Sequence, residues 1–258
     1  TSAAVPSAVV HAHCTPVLVE VGENYRIDID DFKTKFTDDI QAVLISHMRG
    51  HTSDMDQIKA LCDARNIPLI EDAAHSLGTT WNDQKIGTIG KVGCFSFQSY
   101  KLLNGGEGGI LVTDDADIIA RCVIMSGAYE SNWQKHGLDC NTFAKYQNEL
   151  PLYNTRLSNL SAAVIRPQLQ HVSRRIHDGL RNHNLMAEQL NASPYISVPA
   201  PLKPEKRAPD SIQFNLIGFS DDEAHALMRE TKSRGITVSI FGLHSGNARA
   251  SSSLNPIK

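Results

Sequence analysis

The sequence predicts an α/β fold: a mostly parallel sheet in a large domain, then a smaller C-terminal α/β module. Three observations carry this reading. Short β-rich runs at residues 16–21, 42–48, 67–72, 92–97 and 109–113 alternate with helical or turn-rich stretches, and several are apolar on both faces, as strands buried in a parallel sheet are. The second and third runs are joined by Ser53-Asp54-Met55-Asp56, a capping-box pattern, and by Met55, Ile58, Leu61 and Cys62 at helical spacing, which makes a β-α-β unit. A Pro- and charge-rich stretch at 199–209 reads as a linker to a strand at 212–218, a helix at 221–233 and a strand at 236–241.

The crossover of a β-α-β unit is right-handed, so successive strands point the same way and the loops after them gather on one edge of the sheet. Asp72 and His75 fall on that edge. After Asp114 the pattern becomes a helix near 115–122, then a polar connection with Tyr129, Trp133, His136 and Tyr146 that reads as a loop or flap. From Leu157 a long helical pattern runs through Leu160, Val164, Leu169, Val172, Ile176 and Leu180, with Pro167 kinking or restarting it. The expected division is therefore 1–156 for the large domain and 157–258 for the connecting helix and small domain.

With 258 residues, 41% of them hydrophobic, the chain can bury a full core. A net charge of -3 with dispersed Lys and Arg supplies no basic field for a phosphate backbone, which excludes nucleic acid as the expected partner. No apolar run reaches the roughly 18 to 20 residues of a membrane span, and the first residues lack a basic segment followed by an apolar one. The expectation is a soluble, cytoplasmic protein without a membrane partner. The five cysteines, Cys14, Cys62, Cys94, Cys122 and Cys140, show no paired spacing, so free thiols are expected. His47 and His51 stand four apart but with Gly50 between them and no H-E-x-x-H context, and His11 and His13 precede Cys14; no metal site is expected.

The chemistry concentrates in two stretches. Phe95-Ser96-Phe97-Gln98-Ser99-Tyr100-Lys101 runs into Leu102-Leu103-Asn104 and a glycine-rich turn, Gly105 to Gly109, so that one lysine stands between an apolar strand and a turn whose backbone can approach closely. Upstream, Ile67-Pro68-Leu69-Ile70-Glu71-Asp72-Ala73-Ala74-His75 ends a strand on acidic residues. A carboxylate beside a pyridine nitrogen keeps it protonated, and an amine with a depressed pKa forms an imine; pyridoxal phosphate needs both. Taken alone, Asp72 could be the N-cap of a helix starting at Ala73, and Lys101 a solvated surface lysine. Together they favour the cofactor reading. His75, one helical turn beyond Asp72, reads either as a cofactor contact or as a satisfied core histidine, and Ser96 either as a phosphate donor or as an ordinary strand serine. Gly87, Gly90 and Gly93 make only a weak dinucleotide signal, because a strand and not a helix follows them.

These motifs together resemble the DegT/DnrJ/EryC1/StrS family of pyridoxal-phosphate-dependent sugar aminotransferases. The likeness runs from Thr15-Pro16-Val17 and Asp54-Met55-Asp56 through Glu71-Asp72-Ala73-Ala74-His75 and Phe95-Ser96-Phe97 to Tyr153-Asn154-Thr155-Arg156-Leu157. It implies the aspartate-aminotransferase type of fold (PLP fold type I), with Asp72 at the pyridine nitrogen, His75 near the ring hydroxyl, Ser96 at the phosphate and Lys101 as the imine lysine. Asn154 would reach the phosphate of the neighbouring subunit, so the resemblance also implies a homodimer with shared active sites. The implied reaction is ping-pong transfer of an amino group, usually from glutamate, to a keto group of a nucleotide-linked sugar or a cyclitol. Related dehydratases carry histidine in place of the lysine, and Lys101 argues against that branch.

The family has some tens of residues before the segment matching Thr1, including a Gly-[Thr/Ser]-x-Ala-Leu loop that holds the phosphate, and it continues past Gly242-Leu243-His244. A chain truncated at both ends is therefore expected. The alternative function is a truncated, inactive member that keeps a dimer or sugar-binding role.

Overall fold

The computed structural model describes residues 3–127, 134 and 140–240, residue 140 by its backbone alone. Helix α1 (Ala4–His11) is followed by an extended stretch and by α2 (Ile29–Lys35), whose N-cap Asp28 accepts from the backbone N–H groups of Asp30 and Asp31. Strand β1 (Val43–Ser46) leads through a short 3-10 turn to α3 (Met55–Ala64) and β2 (Leu69–Asp72). A hairpin of β3 (Thr80–Trp81) and β4 (Gln84–Lys85) precedes β5 (Val92–Ser96) and β6 (Gly109–Val112). Then come α4 (Ala116–Met125), α5 (Cys140–Ala144), α6 (Asn159–Ile165), a 3-10 segment (Arg166–His171) and the 20-residue α7 (Val172–Asn191). Short strands β7 (Ile196–Ser197), β8 (Glu205–Lys206) and β9 (Asn215–Leu216) and helix α8 (Asp221–Ser233) complete the described part.

The central sheet has the order β1-β2-β5-β6, with the first three strands parallel and β6 antiparallel to β5. The β1-α3-β2 unit forms where the apolar spacing placed it. Met55, Ile58 and Cys62 turn one face of α3 onto the sheet and are essentially inaccessible to water, Met55 and Ile58 each contributing on the order of 1.5 to 3 kcal/mol of burial. The cap of α3 is Asp54, not Ser53: its carboxylate accepts from the Gln57 N–H and the Gln57 side chain, while the Ser53 hydroxyl accepts from the Ile27 N–H. Side chains alternate along a strand, so Leu69 and Glu71 face the buried side of β2 while Ile70 and Asp72 face the other.

Four expectations are corrected. Residues 16–21 form no strand: a single bridge joins Val21 to Ile27, and the segment lines a groove of about 910 Å³ together with β1 without pairing with it. The strand at 212–218 shrinks to β9, and residues 236–240 carry none, with Ile236 exposed; Phe241 lies outside the described residues. The supposed linker at 199–209 is folded structure, since β8 pairs with β3 and the side chains of Glu205, Arg207 and Ala208 are buried.

That last correction has an electrostatic cause. Glu205 accepts from the Arg26 guanidinium at 2.7 Å, from Arg207 at 3.3 Å and from the backbone N–H of Thr52 at 3.1 Å. Burial raises the Glu205 pKa, but the two arginines and these hydrogen bonds outweigh it and hold the carboxyl below its ordinary value. Arg207 in turn donates to Nδ1 of His51, whose Nε2 bonds Gln213. Burial first, then the Arg207 charge, push His51 down to about 4, so the ring is neutral at pH 7. His47 and His51, weighed above for a metal, are thus engaged with Glu71 and with Arg207 and Gln213 respectively.

Candidate active site

Parallel pairing brings the carboxyl ends of β1, β2 and β5 to one edge of the sheet, and these strands end in Ser46, Asp72 and Ser96. Ser46 stands opposite Asp72 in the register, and its hydroxyl donates to Asp72 Oδ2 at 2.7 Å while the Ala74 N–H donates to Oδ1 at 3.1 Å. Asp72 caps no helix, contrary to the simplest reading of its context. It is a strand-end carboxylate fixed by one hydroxyl and one turn N–H.

Glu71, its neighbour, is fully buried and takes the N–H groups of Gly87, Ile89 and Gly90 at 2.8, 2.7 and 2.6 Å and His47 Nε2 at 3.2 Å. The three glycines that gave a weak dinucleotide signal are explained here. Two of them donate to Glu71, and a Cβ on Gly93 would sit 1.9 Å from the carbonyl oxygen of Gly87, so only glycine lets this loop close over β5.

Lys101 lies in a turn after β5, its N–H donating to the Gln98 carbonyl. Its Nζ is 2.7 Å from Nε2 of His75, and Nδ1 of His75 is 2.9 Å from Oδ2 of Asp210. Both ring nitrogens of His75 thus have partners, and with Ser96, Lys101 and Asp210 it lines a small cavity at the sheet edge. The glycine turn does bring backbone close, but to helix α6: a Cβ on Gly105 would meet Ile165 at 2.9 Å and the Ser161 carbonyl at 3.2 Å. Tyr100, next to Lys101 in the chain, is 85% exposed. Ser96 Oγ accepts from the Gln98 N–H at 3.3 Å, and its hydroxyl hydrogen can turn toward the cavity.

Asn154 is not part of this cluster. It is exposed, with Oδ1 accepting from Arg156 at 3.4 Å. Tyr129, Trp133, His136 and the Gly242-Leu243-His244 stretch lie outside the described residues. Among the described residues, no group of three or more His, Cys, Asp or Glu is arranged for a metal, and no helix is long and apolar enough to cross a membrane. Sequence reasoning missed two members of the site. Ser46 could have been found from the register of a parallel pair; Asp210 could not, because it enters from 135 residues away in a stretch that read as linker.

Residues 1–246 match the model of the DegT/DnrJ/EryC1/StrS aminotransferase family. The chain belongs to this family. Among its relatives is the GDP-perosamine synthase of Vibrio cholerae, 33% identical over 169 residues, which cover 65% of this chain and 43% of that protein. The UDP-N-acetyl-3-dehydro-alpha-D-glucosamine 3-aminotransferase of Acidithiobacillus ferrooxidans is 31% identical over 183 residues, 70% of this chain and 46% of its own. The crystal structure of Streptomyces venezuelae DesV in complex with a ketimine intermediate superposes with a TM-score of 0.79 at 27% identity, covering 92% of this chain and 60% of that one. The chain thus spans less than half the length of these two curated relatives. Its fold is the PLP fold type I, and aminotransferases of this family depend on pyridoxal 5'-phosphate.

The residues present suit that group chemically. A fixed carboxylate is available for a ring nitrogen, an amine for an aldehyde carbon, and a hydroxyl at a strand end for a phosphate oxygen.

Proposed function

We propose that this chain carries the cofactor-binding part of a pyridoxal-phosphate-dependent aminotransferase that moves an amino group from glutamate to a keto group of a nucleotide-linked sugar or related cyclitol. The observation that carries the reading is the placement of Asp72 and the Lys101–His75 pair on one sheet edge, within the family's aminotransferase motif set. The names of the relatives support the acceptor class. When bound, the cofactor supplies a protonated pyridine ring that accepts electrons from the substrate carbon. Asp72 keeps the proton on the ring nitrogen. Lys101 Nζ would hold the aldehyde carbon and, when free, would be the amine placed to take up a proton from the substrate carbon. The Ser96 hydroxyl donates to the phosphate, and His75 lies beside Lys101. The test is a panel of keto-sugar nucleotides and keto-cyclitols with glutamate as donor. Formation of 2-oxoglutarate with at least one acceptor is expected; none with any acceptor, from protein that holds the cofactor, contradicts the reading.

A homodimer with shared sites belongs to the same proposal. Leu152, Tyr153, Leu160, Val164 and Leu169 are all exposed around Asn154 and along α6 and the 3-10 segment, and Leu160, at 77% exposure, and Val164 share a helix face. An apolar surface of this extent on one stretch suits burial against a second copy. Mixing Asn154→Ala with Lys101→Ala subunits should then restore part of the activity, because one of the two sites in the heterodimer keeps both residues. No recovery in verified heterodimers means that Asn154 does not act across the interface.

A further inference from the structure

Asp210 has no part in the motif set, yet it makes the second contact of the imidazole that faces Lys101. The side chains of His75 and Asp210 are 18% and 16% exposed, so the pair is largely shielded from water. An ionised carboxylate accepts hydrogen bonds and cannot donate, so the contact at 2.9 Å requires a proton on His75 Nδ1. In the neutral ring this leaves the lone pair on Nε2, 2.7 Å from Lys101 Nζ. Asp210 is itself fixed, since the Ser211 hydroxyl donates to its other oxygen at 2.6 Å.

We infer that Asp210 is a positioning residue: it holds His75 as the Nδ1–H tautomer, so that Nε2 takes a proton from the Lys101 ammonium and leaves Nζ with the lone pair that imine formation needs. An N–H bond on Nζ breaks and its electron pair stays on Nζ. The new N–H bond forms on Nε2, and the resulting imidazolium is neutralised by the Asp210 carboxylate. The inference rests on Lys101 being the imine lysine.

The ionisable groups that face the pair are Lys101, from the turn after β5, and Arg49, from the 3-10 turn after β1, whose positive charge acts on Asp210. Burial alone would raise the Asp210 pKa; the bonds from His75 and Ser211 and the nearby positive charges outweigh it and keep the carboxyl ionised.

Two readouts test this. Nitrogen NMR of labelled histidine in cofactor-free protein should show His75 protonated at Nδ1 in the wild type and in Asp210→Glu, and a loss of that preference in Asp210→Asn, whose amide can donate as well as accept. The rate at which pyridoxal phosphate forms a borohydride-trappable adduct on Lys101 should fall about tenfold at pH 7 in Asp210→Asn, with its pH midpoint displaced upward by roughly one unit, and recover in Asp210→Glu. An unchanged tautomer and pH profile in Asp210→Asn, with trapping on Lys101 intact, overturns the role of Asp210 alone. Absence of trapping on Lys101 in the wild type overturns the imine-lysine reading and the proton transfer with it, while the NMR result still decides whether Asp210 sets the tautomer.

Discussion

Asp72→Asn is expected to leave the fold intact and to lower turnover about 10- to 1,000-fold, because an adjacent carboxylate shifts the acidity of a cationic partner by roughly 1 to 3 pKa units and an amide does not. The side chain keeps its volume, and its amide can still meet the Ser46 hydroxyl and accept from the Ala74 N–H that now hold the carboxylate at 2.7 and 3.1 Å. Folding should therefore survive while the ring nitrogen loses the negative charge that keeps it protonated. The measurement is kcat beside a thermal unfolding curve. Near-normal turnover in a well-folded variant rejects the electron-sink role of Asp72.

Glu71→Ala should be the more damaging change to stability, although Glu71 is one residue away on the same strand. The substitution leaves the N–H groups of Gly87, Ile89 and Gly90 and the ring of His47 without their acceptor, the Gly87 N–H and the His47 ring in buried surroundings. Removing one partner from a buried charged network costs about 3 to 5 kcal/mol, against a total of roughly 5 to 15 for a domain. The pH dependence has a definite sign. Burial raises the Glu71 pKa, but His47 and the loop N–H groups outweigh it, so the folded value lies below the ordinary 4.5. A carboxylate of this kind contributes its full stability above the unfolded pKa and loses it as pH falls through the lower folded value. Urea unfolding at neutral pH should show the large loss, and the acid limb of stability below about pH 4.5 should be shallower in Glu71→Ala. A loss under about 1 kcal/mol would show that the loop at 87–90 closes without Glu71.

What could be read from the sequence was local. The 3.6-residue spacing of Met55, Ile58 and Cys62 and the apolar runs ending at Asp72 and Ser96 are imposed by contacts within the β1-α3-β2 unit and with the adjacent β5, so α3, β2 and β5 appear where periodicity puts them. Lys101 stands out because its flanks are unusual. The parts that escaped depend on contacts between distant segments. Residues 199–209 look like linker by composition, but the pairing of β8 with β3 and of Glu205 with Arg26, 179 residues away, ties them into the fold. Asp210 reaches His75 by the same route. Residues 16–21 have strand composition but do not pair with β1, and composition cannot report a missing partner. Glu71 and Asp72 read as one acidic pair, yet strand alternation sends the first into the core as a loop clamp and the second to the site.

Borohydride reduction of the protein loaded with pyridoxal phosphate, followed by peptide mass spectrometry, tests the central claim most directly. Among the described lysines, Lys101 alone combines a sheet-edge cavity with an imidazole 2.7 Å from its amine, so the phosphopyridoxyl group should be found on Lys101, and Lys101→Ala should abolish the label. A label on another lysine, or equal labelling of the Lys101→Ala variant, would contradict the assignment of this edge as the active site.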